Sequence, residues 1–304
     1  MEMDLAARNA GEVEISIIIA NYNGRELLRN CSQSIFDNPP SVAFEVYVVD
    51  DASTDGSAEM VRECFPQVHL LRNSGNVHYG KSNNRALDLV QGRYVYLLNN
   101  DTLMLPGALD EMKLFLDQHP RVGAVGNKLL NEDGSIQASV KTLPCIMSGL
   151  FGARSPITKL FPNNPFSREH LLHLKYDMTK PFPAGYVSSA STMIRWEVVS
   201  QIGGLDERLS YHVDADYCKR IWDAGWDVYY LPGASVIHLN HRGGTMVSFK
   251  RRLKSVVEFH RGSYIYFLKH ARKPLWHPLH LITAAGLAIR FVCAFILQCV
   301  KEVV

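Results

Sequence analysis

Short apolar runs alternate with segments of helical periodicity along the first 130 residues. The predicted strands cover residues 15–20, 44–49, 68–71 and 94–98. The predicted helices cover residues 25–36, 58–64, 86–90 and 107–118. Apolar runs bounded by turn residues are typical of strands that are covered on both faces. Repeated strand–helix alternation therefore predicts an α/β fold, with a mostly parallel central sheet flanked by helices.

The pattern is less regular after residue 130. Further strands are predicted at residues 122–130, 187–194, 228–231 and 235–238, with a helix at 214–224. Residues 232–233, Pro-Gly, are expected to form a turn between the last two strands. Residues 141–183 contain six prolines and have no clear period. Irregular stretches of this length are commonly functional or mobile.

The C-terminal segment combines basic charge with an apolar helix. Residues 247–304 carry ten Lys or Arg against two Glu, a charge of +8, while the whole chain carries only +2. Residues 279–300 are mostly apolar, and one stripe at helical spacing is polar: His280, Thr283, Arg290 and Gln298, continued by Lys301. A polar stripe beside a wide apolar face favours an interfacial helix, or one packed on the protein, over a spanning helix. We expect this tail to meet an anionic membrane surface.

Composition excludes several classes of protein. A hydrophobic content of 47% and a charged content of 20% are those of an ordinary globular chain. The six cysteines form no CxxC pair, which indicates reduced thiols in a cytoplasmic protein. Residues 1–13 are acidic and lack an apolar region, so we expect a disordered N-terminus and no signal peptide. No nucleic-acid-binding module accompanies the basic tail, and we expect no nucleic-acid partner.

Polar clusters lie at the carboxyl ends of the predicted strands or, for residues 76–84, in a predicted loop between them. They are residues 21–23 (Asn-Tyr-Asn), 50–51 (Asp-Asp), 76–84 and 99–101 (Asn-Asn-Asp). In open α/β sheets such ends form the ligand-binding edge, so a nucleotide-sized cleft is expected there. The chain has neither GxGxxG after the first strand nor a P-loop motif. A diphosphate would therefore need a metal ion, and Asp101 is the candidate ligand.

Structural alternatives exist for several of the polar residues. Asp55 or Ser57 could cap the following helix, which is compatible with ligand binding by Asp51. An acidic first turn favoured by the helix dipole could explain Asp214 and Asp216. A histidine at the end of a strand, such as His238, is often merely a satisfied structural residue.

Four segments resemble the bacterial rhamnosyltransferase-type branch of the family 2 glycosyltransferases, which have the GT-A fold. They are SIIIANYNG, VYVVDDASTDGS, NVHYGKSNNRAL and YLLNNDT. The similarity continues through VGAVGNKLLNEDGSIQ, STMIRWEVVSQIGGLDERL, DADYCKRIWDAGWDVYYLPGASVIH and RGGT, and so covers residues 14–245. It implies a GT-A domain at 14–246, with a nucleotide-sugar half (14–130) and an acceptor half (131–246). Residues 247–304 would be a basic amphipathic helical tail.

The resemblance also implies roles for individual residues. The expected donor-binding residues are Ala20, Asn21, Tyr22, Asn23, Asp50, Asp51, Asn76, Lys81, Asn84, Asn99 and Asn100. Asp101 would bind Mg²⁺ or Mn²⁺, and His238 would approach the same metal. Asn99 replaces the first acidic residue of the family's DxD-type motif, so the donor diphosphate would have to complete the metal site.

The acceptor-activating carboxylate of the family lies in an ED-x-D pattern. The corresponding residues here are 213–216, Val-Asp-Ala-Asp, in which Val213 replaces the glutamate. We expect Asp214 to be the general base, with Asp216 as a supporting or alternative carboxylate. A single in-line displacement would invert the anomeric configuration.

The resemblance thus predicts a metal-dependent, inverting hexosyltransferase. Its donor would be a dTDP- or UDP-sugar, with rhamnose favoured, and its acceptor a glycan, in particular a lipid-linked one. It would act in bacterial polysaccharide synthesis, at the cytoplasmic face of the inner membrane or in the cytoplasm. One alternative is a non-catalytic glycan- or nucleotide-binding scaffold, for which Val213 and Asn99 are the best support. A nucleotidyltransferase is a second alternative, although it would usually need a longer glycine-rich loop after the first strand.

Overall fold

A computed structural model describes residues 12–145, 160–161, 164–239, 249–271, 273–274 and 276–303. Its strands are β1 (Ile15–Asn21), β2 (Phe44–Asp50), β3 (His69–Arg72), β4 (Tyr94–Asn99), β5 (Thr102–Met104), β6 (Val122–Leu130), β7 (Val140–Lys141), β8 (Phe182–Pro183), β9 (Tyr186–Val187), β10 (Ser191–Arg195) and β11 (Asp227–His238). Its helices are α1 (Arg25–Asp37), α2 (Ser57–Cys64), α3 (His78–Leu87), α4 (Ala108–Gln118), α5 (Pro165–His170), α6 (Trp196–Ile202), α7 (Val213–Asp223), α8 (Phe249–His270) and α9 (Pro278–Val303).

Most of the expected strands belong to one sheet, and most of the strands in this sheet run parallel to one another. The order is β3-β2-β1-β4-β10-β6-β11-β5, with β8 also paired to β11. Strands β1 to β4 and the β6–β11 pair run parallel, while β10, β5 and β8 are antiparallel to their neighbours. A mostly parallel sheet is therefore confirmed.

Helices cover both faces of this sheet because the strands bury both sets of side chains. On β1, Ile15, Ile17 and Ile19 pack with the apolar faces of α1, α2 and α4. Ile18 packs on the opposite face in a second core, which includes apolar residues of α3, α6 and α7. All four isoleucines are fully buried. The continuous apolar run of β1 thus reflects a strand between two cores.

The helix predicted at 86–90 is wrong in extent, since α3 spans His78–Leu87. The sequence there is polar, but Gly80, Ser82 and Asn83 are buried against the body of the protein. Packing of small and amide side chains replaces the apolar stripe that the prediction relied on. The segment 76–84, expected as a loop, is therefore mostly helical.

The two short strands predicted at 228–231 and 235–238 are one strand, β11. The Pro-Gly pair at 232–233 does not form a turn. It lies in a register shift of the β11–β6 pairing between Leu231 and Ser235. An irregularity of this kind bends a strand without ending it. The strand predicted at 187–194 is instead divided into β9 and β10.

The chain after residue 248 forms two long helices. Helix α8 packs against residues 210–212, with His212 Nε2 2.8 Å from Ser263 Oγ. Helix α9 packs on α8, and Arg290 Cζ lies 4.7 Å from the centre of the Phe259 ring. By length and composition alone, the part of α9 from Pro278 to Ile296 could cross a membrane. Some expectations fall outside the described residues: nearly all of the N-terminal segment, RGGT, the boundary at 246–247, and 146–159 of the proline-rich stretch.

Candidate active site

The polar clusters after β1, β2 and β4 meet at one edge of the sheet, as expected. Asn100 Nδ2 donates to Asn21 Oδ1 at 2.6 Å. Asn21 Nδ2 in turn lies 3.3 Å from Ser53 Oγ and 3.5 Å from Asp50 Oδ1. These contacts join three strand ends that are distant in sequence. They form the floor of the site.

Asp50 belongs to this floor and does not face a ligand. It is fully buried. Its Oδ2 accepts a hydrogen bond from the backbone N–H of Ser53 at 3.2 Å and lies 3.5 Å from Arg72 Nε. The expectation that Asp50 binds the donor is therefore revised. It holds the turn after β2 and pairs with the end of β3.

Asp51 organises the loop that precedes α3. Its Oδ1 accepts from Asn73 Nδ2 at 2.9 Å and from the Val77 N–H at 2.8 Å. Its Oδ2 accepts from the His78 N–H at 2.9 Å, and Asn76 Oδ1 lies 3.2 Å from the same N–H. Three donors surround the carboxylate, so Asp51 fixes the shape of loop 73–78. Because Oδ2 has one protein donor, it keeps accepting capacity for a ligand N–H.

Strained backbone is concentrated at this edge. Asn23, Ala52, His78 and His212 are the non-glycine residues with positive φ among those described, at 50°, 61°, 70° and 65°. They follow β1, follow β2, begin α3 and precede α7, respectively. Such conformations cost of order 1–3 kcal/mol each and occur preferentially at functional sites. Their positions agree with a ligand site between the two halves.

The other expected donor residues divide into exposed and structural groups. Tyr22 is 45% exposed, and Lys81 is exposed on α3. Ala20, Asn23 and Asn99 are half-buried at the strand ends. Their positions leave surface for a flat base and a phosphate.

Asn84 has a structural role that differs from the expectation. Its Nδ2 donates to the Leu205 carbonyl at 2.9 Å and to Glu207 Oε1 at 3.1 Å, and its Oδ1 accepts from the Leu205 N–H at 2.7 Å. The amide group thus holds the turn at 203–207 against α3. Both polar atoms of the amide therefore have protein partners.

Asp101 and His238 are brought together by strand pairing. Strand β5 begins directly after Asp101, and its antiparallel register with β11 places His238 opposite Thr102. His238 Nε2 lies 3.3 Å from Asp101 Oδ1, and the Leu239 N–H donates to the Asp101 carbonyl at 2.8 Å. Both side chains are mostly buried. The two predicted metal ligands therefore form a pair.

The pair suits a divalent cation. Two neighbouring ligand atoms of an octahedral Mg²⁺, bound at 2.0–2.1 Å, are about 3 Å apart. His238 Nδ1 lies 2.9 Å from Gln137 Oε1, an acceptor, and so carries the ring hydrogen. In a neutral ring the lone pair of Nε2 then faces a carboxylate oxygen, and either a proton on Nε2 or a cation between the two atoms makes this contact favourable. Within the part of the chain that the structure describes, no group of three or more His, Cys, Asp or Glu could hold a metal.

Asp214 has the character of a proton acceptor. It is half-buried in the first turn of α7, beside Leu97 and Ser189. Burial raises the pKa of its carboxyl, opposed by the charge of Lys141 and by the hydrogen bond from the Ala215 N–H at 2.9 Å. A raised pKa brings a carboxyl nearer to the value that a general base needs at neutral pH. Lys141 was not among the predicted residues, and no motif distinguishes it.

Asp216 is an ion-pairing residue, contrary to the expectation that it could replace Asp214. It is fully buried, and its carboxylate lies 3.1 Å from Arg220 Nε, 2.8 Å from Lys269 Nζ and 2.8 Å from His270 Nε2. Burial raises the pKa of its carboxyl, but the hydrogen bonds from His270 and Lys269 outweigh it, and the pKa is lowered. Its partners leave no route for an acceptor hydroxyl. Asp216 thus joins α7 to α8.

Comparisons with known proteins agree with this geometry. The model of the family described as Glycosyl transferase family 2 matches residues 16–203, more than half of the chain. The chain is 27% identical over 260 residues to the N-acetylglucosaminyl-diphospho-decaprenol L-rhamnosyltransferase of Mycobacterium tuberculosis, covering 81% of each protein. It is 29% identical over 207 residues to the O-antigen biosynthesis protein RfbC of Myxococcus xanthus, covering 65% of this chain and 15% of RfbC.

Two solved structures are similar in fold. The mannosyltransferase PcManGT from Pyrobaculum calidifontis, in complex with GDP-Man and Mn²⁺, matches with a TM-score of 0.58 at 17% identity, covering 95% of this chain and 74% of that one. Residues 1–349 of TarS from S. aureus match with a TM-score of 0.53 at 16% identity, covering 94% of this chain and 81% of that one. The expected GT-A fold is confirmed.

The two carboxylates of α7 should respond oppositely to neutralisation. Asp216→Asn leaves Arg220, Lys269 and His270 without their shared carboxylate, and removal of one partner from a buried ionic cluster costs about 3 kcal/mol of unfolding free energy. Asp214→Asn removes a carboxylate whose charge burial disfavours, and should leave the unfolding free energy unchanged or slightly raised. Urea denaturation of both variants measures this difference. Equal destabilisation of the two would contradict the separate roles.

Proposed function

Because the chain belongs to glycosyl transferase family 2, we propose that it moves a sugar, with inversion, from a nucleoside-diphosphate donor to a hydroxyl of a lipid-linked glycan. The observation that carries the proposal is the Asp101–His238 pair, at the same end of the sheet as the Asp51 loop. The M. tuberculosis relative, named for a rhamnosyl transfer to a decaprenol-linked sugar, supports rhamnose as the transferred group and a polyprenyl diphosphate glycan as the acceptor.

The donor would bind across the ends of β1, β2 and β4. The Asp51 carboxylate would accept a hydrogen bond from an N–H on the base, while the exposed ring of Tyr22 would stack on its face. Asn21, Asn23 and Asn100 would surround the ribose and phosphates. A base with a ring N–H beside two carbonyls, thymine or uracil, is the match for an accepting carboxylate. The donor would therefore be a dTDP- or UDP-sugar.

Asp101 and His238 would hold a Mg²⁺ or Mn²⁺ ion, with the donor diphosphate completing its ligands. When bound, the ion would supply Lewis-acid stabilisation of the negative charge that develops on the leaving diphosphate. Their short separation and burial support this role. Asn99 supplies no charge, which would make cation binding depend on the nucleotide.

Asp214 would accept the proton of the acceptor hydroxyl. As that oxygen forms a bond to the anomeric carbon, the bond from this carbon to the diphosphate oxygen breaks on the opposite face. The diphosphate leaves with the bonding electron pair, and the proton passes to the Asp214 carboxylate. A single displacement inverts the anomeric centre, and no covalent enzyme intermediate is formed.

The tail would dock on the cytoplasmic face of the inner membrane. In α9, Leu281, Ile282, Ile289, Val292 and Ile296 are 52–74% exposed. The opposite side of the helix contacts α8 through His280 and Arg290. Trp276, 80% exposed, precedes α9 at a position typical of interfacial anchors. An apolar outer face with cations nearby suits an anionic bilayer, which would bring the site to a lipid-linked acceptor.

The first prediction concerns nucleotide binding. Full-length protein should melt at a higher temperature with UDP or dTDP in the presence of Mn²⁺, because a ligand that binds only the folded state stabilises it. Asp101→Ala should abolish the Mn²⁺-dependent part of this shift, whereas Asp88→Ala, at an exposed aspartate, should not. Asp214→Asn should keep the shift and lose transfer. A shift that persists in Asp101→Ala would contradict the metal site, and transfer by Asp214→Asn would contradict the base.

The second prediction concerns pH. Transfer requires ionised Asp214, so its rate should fall as the pH decreases through a pKa above the ordinary value of about 3.9. Lys141 stabilises the ionised form. Lys141→Met should therefore move the acidic limb of the kcat/KM profile to higher pH, while Lys180→Met, at an exposed lysine, should leave it in place. A limb that is unmoved, or moved to lower pH, would exclude this coupling.

The third prediction concerns the membrane. Ile282→Asn together with Ile289→Asn removes two large side chains from the outer face of α9. Because burial of each stabilises binding by about 1.5–3 kcal/mol, partitioning onto phosphatidylglycerol vesicles should fall at least about tenfold. Leu114→Asn changes an equally exposed leucine on α4 and should have no effect. Unchanged sedimentation of the double variant with vesicles would exclude docking through α9.

A further inference from the structure

Gln137 contacts His238, one of the two residues of the Asp101–His238 pair. We propose that Gln137 is a positioning residue, which holds His238 in the tautomer whose Nε2 is free to bind the divalent cation. This inference rests on the proposed metal site. Gln137 belongs to the GSIQ segment of the sequence. Neither the predicted motifs nor the chemistry of the transfer assigns a role to it.

The orientation of the Gln137 amide is fixed by its surroundings. Its Nε2 donates to the His238 carbonyl at 2.6 Å and to Asn131 Oδ1 at 2.9 Å. A backbone carbonyl can only accept a hydrogen bond. Reversal of the amide would place two oxygen atoms at that short distance. Oε1 is therefore the atom that faces the imidazole ring.

That orientation determines the imidazole tautomer. Gln137 Oε1 lies 2.9 Å from His238 Nδ1, and since Oε1 can only accept, Nδ1 must carry the hydrogen. Nε2, on the other side of the ring, points at Asp101 Oδ1. Gln137 thus contacts His238 through both its ring and its carbonyl. The ring can neither rotate freely nor exchange tautomers without the loss of a hydrogen bond.

Gln137 is itself held by the hairpin that follows β6. Its N–H donates to the Leu129 carbonyl at 2.8 Å, which fixes its backbone beside the strand. Asn131, which accepts from the Gln137 amide, is held in turn by a bond from its Nδ2 to Ser135 Oγ at 2.8 Å. Leu130 pairs with Ile237, the neighbour of His238, in the β6–β11 register. The hairpin that carries Gln137 and the strand that carries His238 are therefore joined by the β6–β11 pairing.

Outer-shell partners of ligating histidines typically change metal affinity by 10–100-fold when they are removed. Gln137→Met keeps the length of the side chain and removes both the donor and the acceptor. Ser135→Ala loosens the same hairpin without touching His238, and so controls for a merely structural effect.

The test is Mn²⁺ binding to the full-length protein in the presence of UDP, whose diphosphate completes the proposed site, followed by the electron paramagnetic resonance signal of free Mn²⁺. We expect Gln137→Met to weaken binding at least about tenfold and Ser135→Ala to bind as the parent does. Equal binding by Gln137→Met and the parent would overturn the inference, as would equal losses in Gln137→Met and Ser135→Ala. Asp101→Ala separates a failure of this inference from a failure of the proposed metal site. If this variant binds Mn²⁺ normally, the proposed metal site itself is wrong.

A measurement on the unaltered protein covers the case in which Gln137→Met does not fold. In metal-free protein labelled with ¹⁵N-histidine, at a pH where the ring is neutral, His238 should give the nitrogen shifts of the Nδ1–H tautomer. Its signals are assigned by their absence in His238→Gln. The Nε2–H tautomer, or a fast-exchanging mixture, would overturn the inference.

Discussion

The antiparallel pairing of β5 with the end of β11 is the constraint on which the site depends. Asp101 belongs to the half of the chain that forms the parallel strands, and His238 ends the last strand of the other half. The backbone hydrogen bonds of three residue pairs place them side by side. The Asp51 loop and the floor around Asn21 lie at the ends of β1 and β2, in the same sheet. Sheet register, more than side-chain packing, thus sets the geometry of the site.

The location of the site could be predicted from the sequence, because strand ends are recognisable and parallel strands share an edge. The roles of individual polar residues could not. Asp50 and Asp51 are adjacent and chemically identical, yet one is enclosed by the floor and the other faces the loop at 73–78. The direction in which a strand-end side chain points depends on the turn that follows it. Here the positive φ of Ala52 turns the chain between the floor and the loop.

Contacts between distant segments of the chain also could not be predicted from the sequence. Asp216 has the spacing of a catalytic carboxylate, and only the position of α8 identifies it as an ion-pairing residue. The first part of helix α3 was missed because its buried residues are Gly80, Ser82 and Asn83, which have no apolar periodicity. In both cases the decisive partner lies in another part of the chain. Sequence periodicity indicates whether a helix face is buried, but it does not identify the residues that pack against that face.

The ionic cluster around Asp216 has a consequence for how this chain can diverge. The helix that carries the proposed base and the helix that leads to the proposed membrane tail share one buried carboxylate, with Lys269 also 2.8 Å from Asp206 Oδ2. A chimaera that receives the tail of another family member would have to bring a matching Lys-His pair, or the buried Asp216 carboxylate would keep Arg220 but lose its partners from α8. The helix with the proposed base and the helix that precedes the proposed membrane tail therefore have to change together in such an exchange.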